Sequence, residues 1–152
     1  MSAPLMAGMS APLTVLAAPR LELTRVYHFS AAHRLVSPRL DAEANARLYG
    51  HCARPHGHNY YLEVTVAGCP DPLTGMSVDL GRLDAIVAGA VIDRVDHYAL
   101  EEVPALAGVV TTGESLARAF WGLIRNAGPE VALVQVTVVE TAKNRFEYRG
   151  GE

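Results

Sequence analysis

The stretch His58-Asn59-Tyr60-Tyr61-Leu62-Glu63-Val64-Thr65-Val66 alternates with a period of two. His58, Tyr60, Leu62, Val64 and Val66 share one face; Asn59, Tyr61, Glu63 and Thr65 share the other. That period belongs to a strand with one face buried. Leu21–Ser30, upstream, alternates in the same way, and Asp41–Leu48 suits two helical turns inside the long connection between the two strands. Downstream, Asp71-Pro72-Leu73-Thr74-Gly75 is turn chemistry. Leu80, Leu83, Ile86, Val87, Ala90 and Val91 then recur at helical spacing behind Asp79, a suitable N-cap. Thr111 and Glu114 fit a capping box ahead of Leu116, Phe120, Leu123 and Ile124, and Gly128-Pro129 stops that helix. Val131–Val139 reads as a buried strand, and Arg145–Arg149 pairs with it after a turn at Lys143-Asn144. The order β-β-α-α-β-β gives one α+β domain over residues 21–152, with two helices on one face of a four-stranded sheet. The opposite face is left uncovered. Because Val131–Val139 carries apolar residues on both of its faces, a second subunit is expected there.

The chain has 152 residues, half of them apolar and 19% charged, with 13 basic and 16 acidic side chains for a net charge of -3. Such a length suits one domain able to bury about 70% of its unfolded surface, and the composition excludes disorder of the whole chain. The weakly acidic balance, with Lys and Arg scattered, argues against a nucleic-acid partner. No run of about 18 apolar residues offers a membrane span. Two cysteines, Cys52 and Cys69, are too few for a disulfide framework and suggest a reducing, cytoplasmic setting; Cys69, before a proline in a turn, reads as incidental. Residues 1–20, with MSAPL at Met1–Leu5 and again at Met9–Leu13, read as a disordered tail. A signal peptide is disfavoured because no basic residue precedes the apolar part and prolines interrupt it.

Chemistry concentrates in Cys52-Ala53-Arg54-Pro55-His56-Gly57-His58-Asn59-Tyr60. His56 and His58 lie two apart at a strand start, so both imidazoles point to one side, and Gly57 permits close backbone approach. Neutral imidazole suits Zn²⁺. His33, at the end of the first strand, can be brought alongside by strand pairing. Three protein ligands leave a fourth position open, the mark of a catalytic site; Cys52 as a fourth ligand would instead make the site structural. Cys52 reads either as a small buried hydrophobe or, beside His51, Arg54 and His56, as a residue whose cationic surroundings favour the thiolate. Asp96-His97 is either a helix-terminal histidine or a general acid–base oriented by a carboxylate. Glu140, at the end of a run of valines, either reaches solvent or accepts two hydrogen bonds from a heterocycle bearing an N–H beside an amino group. Thr112 is either a cap or a contact to the same ring.

In order and spacing, Phe29–Leu35 (FSAAHRL), Tyr49–Tyr60 (YGHCARPHGHNY), Asp71–Leu80 (DPLTGMSVDL), Asp96-His97, Val110–Trp121 (VTTGESLARAFW) and Val139–Thr141 (VET) resemble the pterin synthases. That family contains 6-pyruvoyltetrahydropterin synthase and 6-carboxytetrahydropterin synthase, and the resemblance covers roughly Leu23 to Gly150. It implies the tunnelling fold: a four-stranded antiparallel sheet with two helices on one face, assembled as trimers that close a barrel and stack into hexamers. It implies Zn²⁺ on His33, His56 and His58, with Cys52 as the proton-abstracting thiolate. Asp96 and His97, from a neighbouring subunit, would complete the relay, and Glu140 would anchor the pterin, assisted by Thr112 and Glu114.

The implied substrate is 7,8-dihydroneopterin triphosphate, whose side-chain hydroxyls the zinc would acidify before triphosphate leaves. The four-residue step from Cys52 to His56 resembles the carboxy enzymes of queuosine biosynthesis, which also release acetaldehyde. The stretch Ser37–Leu48 and Asn59-Tyr60 look more like the pyruvoyl enzymes. The cysteine loop is given more weight because it sets where the thiolate sits relative to the metal. The carboxy product is therefore expected, the pyruvoyl product is the alternative, and a non-catalytic zinc- or pterin-binding scaffold is a reading of another class. His51 stands where a lysine is common and Gly113 where a second threonine often contacts the pterin. No glutamate replaces or accompanies Cys52, which argues against the branch making 6-hydroxymethyldihydropterin.

Overall fold

The computed structural model describes residues 20–151, so the expected tail lies outside the described residues except for Arg20. Two long strands, β1 (Leu21–His33) and β2 (His56–Gly68), pair antiparallel over their whole length, from Leu21↔Gly68 to His33↔His56. They are followed by α2 (Leu80–Val87), α4 (Gly113–Ala127), β3 (Leu133–Thr141) and β4 (Asn144–Tyr148), in a single antiparallel sheet of order β1-β2-β3-β4. The expected order of strands and helices is therefore present. Both leading strands run further than the alternation alone marked, and the sheet carries the histidines at their paired ends.

Between β1 and β2 lies α1 (Ala42–Tyr49), capped by the Asp41 carboxylate, which accepts from the Ala44 N–H. A 3₁₀ turn, Gly50–Ala53, follows and contains Cys52. The Cys52 carbonyl accepts from the Leu35 N–H at 2.7 Å, fastening this turn to the chain just beyond β1. The preceding loop closes on Asn45, which is 6% exposed. Its Oδ1 accepts from the Ser37 N–H, and its Nδ2 donates to the carbonyls of Ser37, Leu40 and Asp41 at 3.0–3.1 Å. Asn45→Ala strands these groups, and the loss expected in urea unfolding is about 1–3 kcal/mol.

Asp79 caps α2 as expected, accepting from the Arg82 N–H. The helix continues through a π-helical turn, Ala88–Ile92, into a last turn, α3 (Asp93–Val95). One side of the sheet presents Phe29, Tyr60, Leu62, Val64, Val66, Val136 and Val138, all at most 1% exposed. Leu83, Ile86, Val87 and Val91 from α2 and its continuation, and Leu116, Phe120 and Ile124 from α4, pack onto it. Leu80, expected on the same apolar stripe, stands at its margin and is exposed.

The capping box expected from Thr111 and Glu114 does not form, and the cap falls one residue later. Thr112 is the N-cap of α4, accepting from the Ser115 N–H, and Glu114 faces solvent in the first turn, where a carboxylate favours the helix dipole. Thr111 is turned inward instead, 1% exposed. The sheet face away from the helices is uncovered and mixed. Val26 and Tyr61 are exposed on it, Thr24 bonds Thr65 at 2.8 Å, and the Arg145 guanidinium grips the Glu63 carboxylate. Among the described residues, no helix is long and apolar enough to cross a membrane.

Candidate active site

The β1–β2 register builds the site. His33 pairs with His56 and Ala31 with His58, so the strand period places all three imidazoles on the helix-covered face at one end of the sheet. Their ring centroids lie 4.6–5.1 Å apart, and one ligand nitrogen from each falls within 4.8 Å of the other two. His33 Nδ1 lies 2.9 Å from the Thr111 carbonyl and His56 Nδ1 lies 2.8 Å from that of Arg54. A carbonyl only accepts, so each Nδ1 carries the proton and each Nε2 presents a lone pair inward. The two Nε2 atoms are then 3.1 Å apart with lone pairs facing each other, an arrangement that a cation between them resolves. Backbone carbonyls that fix a ligand histidine's tautomer are the usual support of a metal centre. Burial pushes the basicity of both His33 and His58 below the ordinary histidine range, keeping them neutral and ligand-competent. The three residues therefore fit a divalent metal ion. Cys52 does not belong to this group of converging ligand atoms.

Glu140 completes the surroundings. It sits on β3 one residue beyond the Tyr61↔Val139 pair, where the β3–β4 register shifts between Val139 and Thr141. Such a bulge re-aims a side chain. Here Glu140 Oε1 lies 3.9 Å from Nε2 of both His33 and His58, while Asn144 Nδ2 donates to Oε2 at 3.4 Å. The Tyr60 hydroxyl lies 3.4 Å from His33, and burial raises its ionisation above the usual phenol range, so it stays protonated. The sequence assigns no site role to Tyr60 or to the carbonyls of Thr111 and Arg54; of these, Tyr60 alone, two positions beyond His58 on the same strand face, carries a visible signal.

Asp96 and His97 occupy a different edge. The segment 96–99 lies along β1: the Ser30 N–H donates to Asp96 Oδ1 at 2.8 Å, the His97 N–H to the Ser30 carbonyl, and the Ala32 N–H to the Tyr98 carbonyl. His97 holds φ at +64°, uncommon for a residue with a side chain, and its Nδ1 is 3.0 Å from Asp96 Oδ1. The Ser30 N–H, and secondarily His97, hold the Asp96 carboxyl below the usual carboxylate range. The His97 ring is exposed, lines a cavity of about 440 Å³ together with His58 and Asn59, and among the described residues makes no contact with Cys52. Thr112 is occupied in capping, where its Oγ1 also donates to Ser115 Oγ at 3.2 Å. Gly113 is closed off. A Cβ built there falls 2.0 Å from the Phe146 ring, so Phe146 fills the space of a side chain at this position. Gly113→Ala is expected to lower stability by about 1–3 kcal/mol through overpacking, and the added substitution Phe146→Leu to recover part of that loss in chemical denaturation.

The sequence profile described as 6-pyruvoyl tetrahydropterin synthase matches residues 22–151. The chain belongs to that family. The protein named 6-pyruvoyl tetrahydrobiopterin synthase from Poecilia reticulata is 44% identical over 131 residues, covering 84% of this chain and 89% of its own. The Aquifex aeolicus protein named 6-carboxy-5,6,7,8-tetrahydropterin synthase is 27% identical over 158 residues, covering 84% and 97%. A solved structure of Caenorhabditis elegans 6-pyruvoyl tetrahydropterin synthase superposes with a TM-score of 0.84 at 35% identity, covering 90% of this chain and all of that one. The resemblance carried by the motifs is thus borne out, and the sheet with its two packed helices is the tunnelling fold of this family.

Proposed function

We propose that this chain is a zinc-dependent lyase that eliminates triphosphate from 7,8-dihydroneopterin triphosphate. The observation that carries this reading is the convergence of three imidazoles, two of which, His33 and His56, have their tautomers set by backbone carbonyls so that Nε2 presents a lone pair inward. Three imidazoles without a fourth protein ligand describe an open, catalytic coordination set rather than a closed structural one. When bound, the ion supplies Lewis acidity toward the side-chain hydroxyls of the substrate. Glu140, leaning over the same histidines, accepts hydrogen bonds from the pterin ring and fixes which end of the substrate faces them. Thr112 and Glu114, at the start of α4, assist at the ring's margin. Cys52 takes the proton from the first side-chain carbon, and the electron pair left behind reduces the ring C=N bond while that carbon's hydroxyl becomes a ketone. Loss of the proton on the second carbon then lets triphosphate depart from the third with the electron pair of its carbon–oxygen bond, and the resulting enol tautomerises to the second ketone.

His97 exchanges protons with the side-chain oxygens while Asp96 holds its Nδ1. Its exposed placement along the outer edge of β1 supports delivery to the site of a neighbouring subunit. Exposed Val26 and Tyr61 on the uncovered sheet face support the same assembly. A trimer or a multiple of it is expected in size-exclusion chromatography with light scattering; a monomer at micromolar concentration contradicts it.

The product favoured is the 6-pyruvoyl compound. Relatives bearing the pyruvoyl name are 38–44% identical to this chain, against 27% for the carboxy enzyme. The cysteine loop alone pointed to the carboxy product, and the four-residue step from Cys52 to His56 keeps that outcome as the second reading. Incubation of the zinc-loaded protein with 7,8-dihydroneopterin triphosphate decides by mass analysis. Release of triphosphate with the three-carbon side chain retained supports the first, release of acetaldehyde supports the second, and no triphosphate release contradicts both. Chelation should abolish turnover and added Zn²⁺ restore it.

A further inference from the structure

A concavity of about 620 Å³ lies between the end of β1, α1 and the 3₁₀ turn, walled by Arg34, His51, Arg54, Val36 and Asn45. No carboxylate lines it among the described residues. Of the other arginines, Arg20, Arg39, Arg125 and Arg149 line no such cavity, and the rest are engaged: Arg25 with Asp84, Arg47 with Glu43, Arg82 with Glu130, and Arg145 with Glu63 and Glu147. Arg118 lies over the Tyr148 ring and Arg94 bonds the Gly89 carbonyl. The guanidinium groups of Arg34 and Arg54 have no such partner among the described residues. Asn45 cannot serve as a general polar wall, because its amide is spent on the Ser37–Asp41 loop. The polar capacity that faces the cavity is therefore cationic.

The position of these two arginines is set by the site itself. Arg34 follows the metal-site residue His33, and its N–H donates to Glu101 Oε1, which anchors the backbone while leaving the side chain to project. Arg54 lends its carbonyl to His56 Nδ1 and so is held in register with the imidazoles. Cys52 lies in the turn between His51 and Ala53, both of which line the cavity. Two planar forks, each able to take phosphate oxygens in a bidentate way, thus flank the turn that carries the thiol.

We propose that Arg34 and Arg54 form a polyphosphate subsite that holds the triphosphate of the substrate, positioning it before departure and accepting its growing negative charge. This inference rests on the reading of the chain as a triphosphate-eliminating enzyme. It makes the two arginines specificity determinants for the phosphorylated substrate, with no part in proton transfer.

The test compares the wild type with Arg34→Gln, Arg54→Gln and the double variant, using Arg82→Gln as a distant control. Steady-state kinetics on 7,8-dihydroneopterin triphosphate are combined with inhibition by inorganic tripolyphosphate, by orthophosphate at matched ionic strength, and by unphosphorylated 7,8-dihydroneopterin. Loss of one charge-assisted phosphate contact is expected to raise KM about tenfold in each single variant. Tripolyphosphate should be a competitive inhibitor that weakens in parallel, and inhibition by unphosphorylated 7,8-dihydroneopterin should be unchanged. A KM and tripolyphosphate inhibition matching those of Arg82→Gln overturn the subsite. So does tripolyphosphate binding that is not competitive with substrate, or orthophosphate inhibiting as well as tripolyphosphate, since either marks a site for free phosphate. Should the wild type release no triphosphate, the functional reading fails on its own. Calorimetric titration with tripolyphosphate then still decides the subsite: binding lost in the double variant upholds it, and binding retained or absent in the wild type overturns it.

Discussion

His56→Ala is expected to empty the metal centre while leaving the fold in place. His56 is the informative ligand to remove because it is only partly buried, whereas His33 is 2% exposed and its loss would also open a hole in the packing. Disturbing a supporting hydrogen bond around a metal ligand already costs about 10–100-fold in affinity; deleting one of three ligands should exceed that. Metal content after desalting should fall to near zero and turnover to background, with circular dichroism unchanged. Metal binding also contributes to stability by mass action, about 4 kcal/mol when the free ion is 1,000-fold above its Kd. Chelation should therefore lower the Tm of the wild type and leave that of His56→Ala where it already is. A variant that kept a full equivalent of metal would show that His56 is not a ligand.

Cys52→Ala is expected to retain the metal and lose the reaction. The cysteine is exposed in the Gly50–Ala53 turn and its carbonyl, which the substitution preserves, carries the contact to Leu35, so folding should be unaffected. General base catalysis contributes roughly 10²–10⁴-fold, and turnover should fall by that factor. Metal content decides between the two roles open to this sulfur. Loss of metal along with activity would make Cys52 a ligand and the centre structural. Full turnover with metal in place would remove it as the base. Mixing Cys52→Ala with His97→Ala subunits extends the test: if His97 acts on a neighbour's site, mixed assemblies regain turnover that neither variant has alone, and if the relay is confined to one subunit they do not.

What the residues alone disclosed follows from which interactions leave a period in the chain. Alternation in His58–Val66 marked the strand and placed His56 and His58 on one face. Pairing to the preceding strand then brought in His33, and the register His33↔His56 shows why that sufficed. Glu140 could be singled out as a carboxylate after a valine run, but its aim toward His33 and His58 depends on a bulge between β3 and β4, and an extra residue in a ladder leaves no mark in the side-chain pattern. The carbonyls of Thr111 and Arg54 were invisible because every residue has one. The cap of α4 fell one residue late for the same reason: Thr111 is drawn inward where its carbonyl meets His33, a tertiary demand that the local Thr-x-x-Glu pattern does not record. Phe146 occupying the space beside Gly113 is likewise a long-range contact that neither residue announces.

X-ray absorption at the zinc edge of the zinc-loaded protein addresses the centre itself. Three nitrogen ligands at about 2.0–2.1 Å and one exchangeable oxygen are predicted, the oxygen changing on addition of substrate. A sulfur scatterer at about 2.3 Å would contradict this account, because it would place Cys52 on the metal and close the position where the reaction must occur.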